Sequence, residues 1–449
     1  MAVRPDSRLG GQAAIFCCSD LLEHAPNWGN TLEVSSDNRL GIILDIDLLS
    51  PASFAHGQPH DQFAWLRAND PVHWHPEPGA DGFWAITRYS DVKVVGRDPA
   101  TFSSSPTITI PDGEAFDLGD HQMMLMADRP RHTALRKVVA SEFIPRVAKS
   151  MRPRIEMLAS LIIDKVVDVG ACDLVTDIAG LMPSYVIADI LGIPHEDGVA
   201  LYALTETIHA APESQAAGAG LAAIVEMFDY ASGVWEARRA EPADDLATLI
   251  AHASIDGNEL EVLDFNLFFL LLIDAGGDTT RNLVAGGLDA LFSHPEQLAW
   301  LTEDLDARLL PAVEELLRWV SPVVYMRRTA KCNTEVGGVP IATGQKVVMY
   351  YGSANRDSGA FGPTADQFDL ARAPNDHVAF GGGGPHFCLG AHIARVEIHA
   401  LLRELLSRLV DLKPTAPTEW LASTFISGPK HLPISFRSTA GAMPTNPQD

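Results

Sequence analysis

The pattern of apolar and polar positions changes character along the chain. Residues 1 to about 40 show no clear period and hold many polar, Gly and Pro breakers, which predicts a poorly ordered N-terminal arm or an artefact of start-site choice. From about Asp61 the pattern tightens. Gln62–Asn69 reads as a helix, and Val72–His75 and Phe83–Thr87 are short β-rich runs split by Pro, Gly and Asp, as in a hairpin. A helix capped by Ser90, with Asp91 in its first turn, follows. Thr101 to Leu125 is a long loop rich in Pro, Gly, Ser and Asp, a kind that is often functional inside compact proteins. Helical periodicity then dominates from Thr133 to about Leu317, with breaks expected at Pro183, Gly192–Pro194, Pro212 and Pro242. Strand-like segments return at Val323–Thr329, Val339–Ile341, Lys346–Tyr350 and Ile434–Phe436, and Leu389–Leu409 is a last strong helix. The expected fold is mainly α with a smaller β-rich part made from both ends of the chain, in one domain spanning residues 41–449.

Two stretches carry chemistry. Leu260 to Leu291 predicts one very long helix whose middle, Leu267–Ile273, is apolar on all sides, as in a helix through a core. Ala275-Gly276-Gly277-Asp278-Thr279-Thr280 interrupts that run; paired glycines permit a kink or local opening, and an acid and a hydroxyl beside it can hold water and pass protons. A packing notch with Asp278 in a salt bridge would read the same. The second stretch is Phe380-Gly-Gly-Gly-Gly-Pro-His386-Phe-Cys388-Leu-Gly390. Such a loop can lie flat against a large planar ligand, and Cys388 stands at the mouth of a helix starting near Gly390. A thiolate there meets free N–H groups and the positive end of the helix dipole. A buried structural Cys would use similar glycines; so would a phosphate loop, although no Gly-Lys-Ser/Thr follows them.

Composition narrows the function classes. The 449 residues are 47% hydrophobic, ample for a large core. Lys and Arg total 33 against 58 Asp and Glu, a net charge of -25, which argues against a nucleic-acid partner. Five cysteines, with no CxxC or Cys/His metal spacing, argue against a disulfide framework and for a reducing cytosol. The apolar run from Ala13 to Cys18 is too short for a signal segment or a span, and Leu267–Ile273 suits a buried helix. A cytoplasmic protein without membrane insertion is expected.

Taken together, these motifs resemble the cytochrome P450 superfamily, especially its soluble bacterial branch, over about residues 61–437. The glycine loop looks like the haem-binding loop, with Cys388 as the axial ligand of haem b iron and Phe380, Gly390 and Ala275 beside the cofactor. One departure is that the aromatic usually stands seven positions before the Cys, whereas Phe380 stands eight before it. The extra glycine resembles members acting on steroids, terpenoids and lipids, as does Ser427–Pro433. Asp278 and Thr279 match the family's acid–alcohol pair, with Asp278 relaying protons and Thr279 bonding the activated oxygen. Glu315-Leu-Leu-Arg318 matches the family's ExxR helix and Arg372 its meander arginine, a structural trio. His132 and Arg136 share a helix face and, with Arg328 and His386, match the clamps on the haem propionates. The family often has Pro where Arg129 stands.

The resemblance implies a haem-thiolate monooxygenase that inserts one oxygen of O2 into a C–H bond or alkene of a hydrophobic small molecule. A peroxygenase-type haem-thiolate enzyme or a non-catalytic haem or ligand carrier are the alternatives, against which Asp278-Thr279 argues. With no flavin or nicotinamide fingerprint in the chain, electrons are expected from a separate iron–sulfur ferredoxin and its reductase. An acidic ferredoxin calls for a local basic patch, for which Arg129, Arg131, Arg136 and Lys137 are candidates. Substrate contacts are expected from Leu271, Val323, Val324 and Phe425. Asp274, one turn before Asp278, either faces the pocket and binds a polar substrate group or bonds to neighbouring helices.

Overall fold

The computed structural model describes residues 45–112, 118–209, 216 and 218–439. The N-terminal arm and Pro212 lie outside them. Val262–Ser293, 32 residues long, runs through the middle of the largest apolar cluster. Its first half, Asp264–Ile273, is buried on every side, as its unbroken apolar run requires. Leu181–Leu191, Ala219–Ala240, Leu305–Val320 and Ala391–Arg408 pack against it. Pro145–Asp164 in turn covers Ala391–Arg408.

A five-stranded sheet lies to one side, in the order Val72–His75, Phe83–Ile86, Lys346–Tyr350, Tyr325–Ala330, Phe102–Ser103. Val72 pairs with Ile86 in the N-terminal hairpin, and Phe83 pairs in parallel with Lys346. Segments from residues 72–103 and from residues 325–350 therefore build one sheet, while the C-terminal strands belong to other sheets. A second sheet joins Leu409–Pro414, Pro433–Ser438 and Ala171–Asp173.

Several boundaries differ from expectation for identifiable reasons. The helix expected from Ser90 begins at Tyr89, and Ser90 is not its cap. The Ser90 hydroxyl turns to Asp91, while the Tyr89 amide donates to Asp357, 268 residues away, at 2.9 Å. A long-range carboxylate has displaced the local cap. Pro183 does not break a helix; it is the third residue of Leu181–Leu191, where a missing N–H costs nothing, and the break lies before it at a π-helical turn, Val175–Ala179. Gly192 ends that helix at φ 70°, in the left-handed conformation that suits glycine. The helix Ala219–Ala240 stops just before Pro242.

Glu315 and Arg318, both fully buried, form a bidentate ion pair with two contacts of 2.7 Å. The remaining guanidinium donors reach the carbonyls of Asn355, Ala365 and Gln367 at 2.7, 2.8 and 2.9 Å. Arg372 lies 3.2 Å from the same carboxylate, which also accepts the Asp369 amide and the Asn375 side chain. Replacing Glu315 by Ala leaves two buried guanidinium groups without a counter-charge. The expected cost is roughly 3–5 kcal/mol, read as an earlier urea midpoint; an unchanged midpoint would show that the fold does not lean on this trio.

Candidate active site

A cavity lies between the long helix and the glycine loop. Its walls are mainly apolar. Of the residues expected at the site, Cys388, Gly390, Phe380, His386, His132, Arg136, Arg328, Ala275, Thr279, Leu271 and Val323 line it. Asp278, Asp274, Val324 and Phe425 do not. Val324 is buried behind the wall, and its amide donates to the Phe425 carbonyl at 2.9 Å. Phe425 packs its ring on Tyr325.

Cys388 opens onto this cavity and is accessible there. Its amide donates to the Phe380 carbonyl at 3.0 Å, closing the loop. Burial pushes its thiol pKa up; the amides of Gly390 and Ala391 and the charges of Arg136 and Arg395 pull the other way without prevailing. The helix start therefore offsets part of the burial penalty on the thiol, and a bound metal cation would favour the thiolate further. The glycines answer a second demand that the sequence hid. A Cβ on Gly382 would stand 2.9 Å from the Val92 carbonyl, and one on Gly384 would collide with the Gly96 carbonyl. The loop thus lies backbone to backbone on the helix Tyr89–Arg97.

Phe380 is held by charge. The Arg395 guanidinium sits 4.5 Å from its ring centre, and Glu314 grips that guanidinium at 2.6 and 2.8 Å. Burial would raise the Glu314 pKa, but Arg395 and His377 outweigh it and bring it to about 2.

At one end of the cavity basic side chains gather. The rings of His132 and His386 lie 4.0 Å apart, with Arg328 buried and Arg136 donating to the Phe387 carbonyl at 2.7 Å. Burial first, then the neighbouring arginines, depress His132 to about 4 and His386 to about 2. The nearby Asp128 is engaged elsewhere, by Ser103, the Ser104 amide and Lys331. His132 Nδ1 is buried without a hydrogen-bond partner. Buried donors crowded together with no acid of their own suit a ligand that brings carboxylates. The residues therefore fit a large, mainly apolar group with anionic arms at one edge and a metal within reach of a sulfur.

The long helix is continuous past Gly276–Gly277, so the paired glycines do not break it. They divide their work. A Cβ on Gly276 would meet only Ile187, at 4.0 Å, next to the cavity, whereas one on Gly277 would stand 2.5 Å from the Tyr202 ring. Tyr202 donates to Asp278 at 2.5 Å, and Arg281 lies 3.0 Å from the same oxygen. Burial raises the Asp278 pKa against the pull of Arg281 and Tyr202. Thr279, next in sequence, lines the cavity and donates to the Ala275 carbonyl at 3.1 Å. Asp274 pairs with His209 on the neighbouring helix at 2.6 Å. Neither Tyr202 nor His209 carries a local motif, and sequence reading missed both. Of the four basic-patch candidates, Arg129 and Lys137 are exposed, but Arg131 is paired with Asp264 at 2.6 Å and Arg136 is turned to the cavity.

Residues 221–419 match the family model described as Cytochrome P450. The chain is 34% identical over 442 residues to a steroid C26-monooxygenase of Rhodococcus jostii, covering 95% of this chain and 93% of that one. It is 40% identical over 390 residues to a methyl-branched lipid omega-hydroxylase of Mycobacterium tuberculosis, covering 83% and 90%. A Mycobacterium marinum cytochrome P450 solved in complex with pseudoionone superposes with a TM-score of 0.83 at 36% identity, over 90% of this chain and all of that one. Among the described residues no single helix is long and apolar enough to cross a membrane.

The fit of Gly277 against Tyr202 can be measured directly. Gly277→Ala is expected to destabilise the protein by about 1–3 kcal/mol through overpacking, and the penalty should vanish in a Tyr202→Ala background. Equal penalties in both backgrounds in urea denaturation would break the assignment.

Proposed function

We propose that this chain, which belongs to the cytochrome P450 family of monooxygenases, inserts one oxygen of O2 into an aliphatic C–H bond of a steroid- or lipid-like molecule, with Cys388 as the thiolate ligand of haem b iron. The observation that carries this reading is the single cavity that Cys388, Thr279 and the cluster of His132, Arg136, Arg328 and His386 share. When bound, haem supplies the oxygen activation, and a thiolate ligand pushes electron density that favours O–O cleavage. The chain's residues divide the remaining work. His132, Arg136, Arg328 and His386 would hold the propionates, and the partnerless His132 nitrogen supports this. Phe380, Gly390 and Ala275 line the same cavity and would flank the cofactor.

Proton control falls to Asp278 and Thr279. Asp278 is buried, and its raised pKa lets it hold a proton nearer neutrality than an ordinary Asp. Thr279 follows it and opens onto the cavity, so its hydroxyl can pass a proton inward. This acid–alcohol pair favours turnover of O2 over peroxide-driven chemistry or ligand carriage. Apolar walls, Leu271 and Val323 among them, keep water away and suit a hydrophobic substrate. The relatives named for steroid C26 and for methyl-branched lipid omega hydroxylation make a branched aliphatic end the substrate feature of choice. The reaction needs two electrons from a separate donor, for which an iron–sulfur ferredoxin with its reductase is proposed; the exposed Arg129 and Lys137 offer positive charge for it.

Three measurements test these roles. The reduced, carbonyl-bound protein should show a thiolate-type Soret band that Cys388→Ser abolishes; a band unchanged in the variant would rule out this ligand. Asp278→Asn should slow product formation by about 10²-fold or more at unchanged substrate affinity, the range usual for lost acid–base help; full activity would remove Asp278 from the chemistry. A methyl-branched fatty acid or a sterol should displace the iron-bound water, giving a saturable spectral shift that a small polar alcohol does not give, and no shift with any lipid would defeat the substrate class.

A further inference from the structure

Asp278 lies buried, so any proton it passes inward must be replaced from solvent. The groups that touch it directly are poor suppliers. Arg281, 3.0 Å away and itself bonded to the exposed Glu206, keeps its proton at any working pH. Tyr202, donating at 2.5 Å, has its hydroxyl pKa pushed further up by burial and by Asp278. Both hold the carboxyl still; neither gives up a proton near neutrality.

A further pair of groups lies close by and is partly exposed. Asp274 stands one helical turn before Asp278, about a third exposed, and His209 Nε2 is 2.6 Å from its Oδ1. His209 is itself 36% exposed. One side-chain nitrogen or oxygen from each of His209, Asp274 and Asp278 lies within 4.8 Å of the others, a gap that one water bridges. The charged and titratable groups around the pair are Asp278 and Arg281 on the long helix and Tyr202 and Glu206 on the helix His195–His209. Phe425, from the C-terminal loop, sets its ring 6.4 Å from the imidazole.

We propose that His209 and Asp274 form the port through which protons from solvent reach Asp278. The inference rests on the reading of Asp278 as the inner proton donor. As an imidazolium, His209 gives its Nε2 proton to Asp274. Asp274 passes a proton through a bridging water to Asp278, and His209 takes a replacement from solvent. Each group returns to its starting state, one proton has moved inward, and no electrons are transferred. Burial alone would lower the His209 pKa, but the Asp274 carboxylate outweighs it and lifts it to about 9. The port is therefore charged at neutral pH and empties as pH rises through about 9.

The test uses the full-length, haem-loaded protein with saturating electron donor and a methyl-branched fatty acid as substrate. His209→Gln keeps a hydrogen-bond donor for Asp274 but cannot relay. It is expected to slow turnover about fivefold or more, to enlarge the solvent deuterium isotope effect and to erase the fall in rate above pH 9, with spectral substrate affinity unchanged. Asp274→Asn should do the same. Independently of turnover, NMR titration of labelled histidine in the ferrous carbonyl form should place His209 near 9 and show it falling by at least one unit in Asp274→Asn. If His209→Gln keeps the rate, isotope effect and alkaline limb while Asp278→Asn slows turnover, the port is overturned and the parent reading stands. If Asp278→Asn is also fully active, the parent reading falls and the port with it.

Discussion

The placement of the sulfur depends on a guanidinium that no solvent reaches. Arg318 is fully buried, and the hydrogen bonds of its guanidinium go to Glu315 and to carbonyls of the segment leading to the Cys388 loop. One of those carbonyls belongs to Asn355, whose side-chain oxygen accepts the Val378 amide at 2.7 Å. The Val378 carbonyl accepts from Gly381, and the Phe380 carbonyl accepts from Cys388. A run of hydrogen bonds thus leads from the ion pair to the Cys388 backbone. Glu314, the adjacent residue, faces elsewhere and holds Arg395 on the helix after Cys388. Two consecutive acids on one helix therefore fix the loop and the helix that bracket the sulfur. A buried pair is weak evidence for net stability, since desolvation offsets much of its attraction. Its value here is directional: it permits one path for a segment with little regular structure.

The cavity has an electrostatic polarity that its walls do not hint at. At one end arginines and two depressed histidines crowd together; on the long helix stands the acidic group of Asp274 and Asp278. Each cluster is unfavourable by itself. The arginines lack an acid, and Asp278 is raised in part because Asp274 lies near it. Clusters of like charge persist where something else brings the opposite charge. For the cations, the proposed haem carboxylates do so. For the acids, His209 and Arg281 supply it from within the chain.

Much of the fold was legible because it is written in local periodicity. The long helix, the N-terminal hairpin, the strand Lys346–Tyr350 and the helix after Cys388 all stand where the apolar pattern places them. The cavity-lining residues were legible for another reason: they sit in short motifs whose spacing is itself the signal. What stayed hidden is what depends on distant contacts. Ser90 reads as a cap until Asp357 arrives from across the chain. The glycines at 276 and 277 read as a kink, yet Gly277 is small because Tyr202 needs the room. Arg131 and Arg136 read as a surface patch, but one is paired with Asp264 and the other is turned inward. His209 sits in an ordinary helix, and nothing in its neighbours announces Asp274.

Asp278 shows why a structural and a functional reading of one residue need not compete. Its sequence context allowed either a salt-bridged packing residue or a proton relay. The structure provides the salt bridge, with Arg281, and adds a phenol. An exposed acid with these two partners would be driven toward permanent ionisation, which would disqualify it as a donor. Burial reverses that outcome, because desolvation outweighs both partners and the net shift is upward. The ion pair then fixes where the carboxyl points, and the low-dielectric surroundings keep it protonatable. Moving Asp278 to the surface would lose the second property, and deleting Arg281 would lose the first. The position one turn earlier, partly exposed, suits Asp274 to the complementary task of meeting solvent. Two acids four residues apart on one helix thus differ in role because they differ in depth.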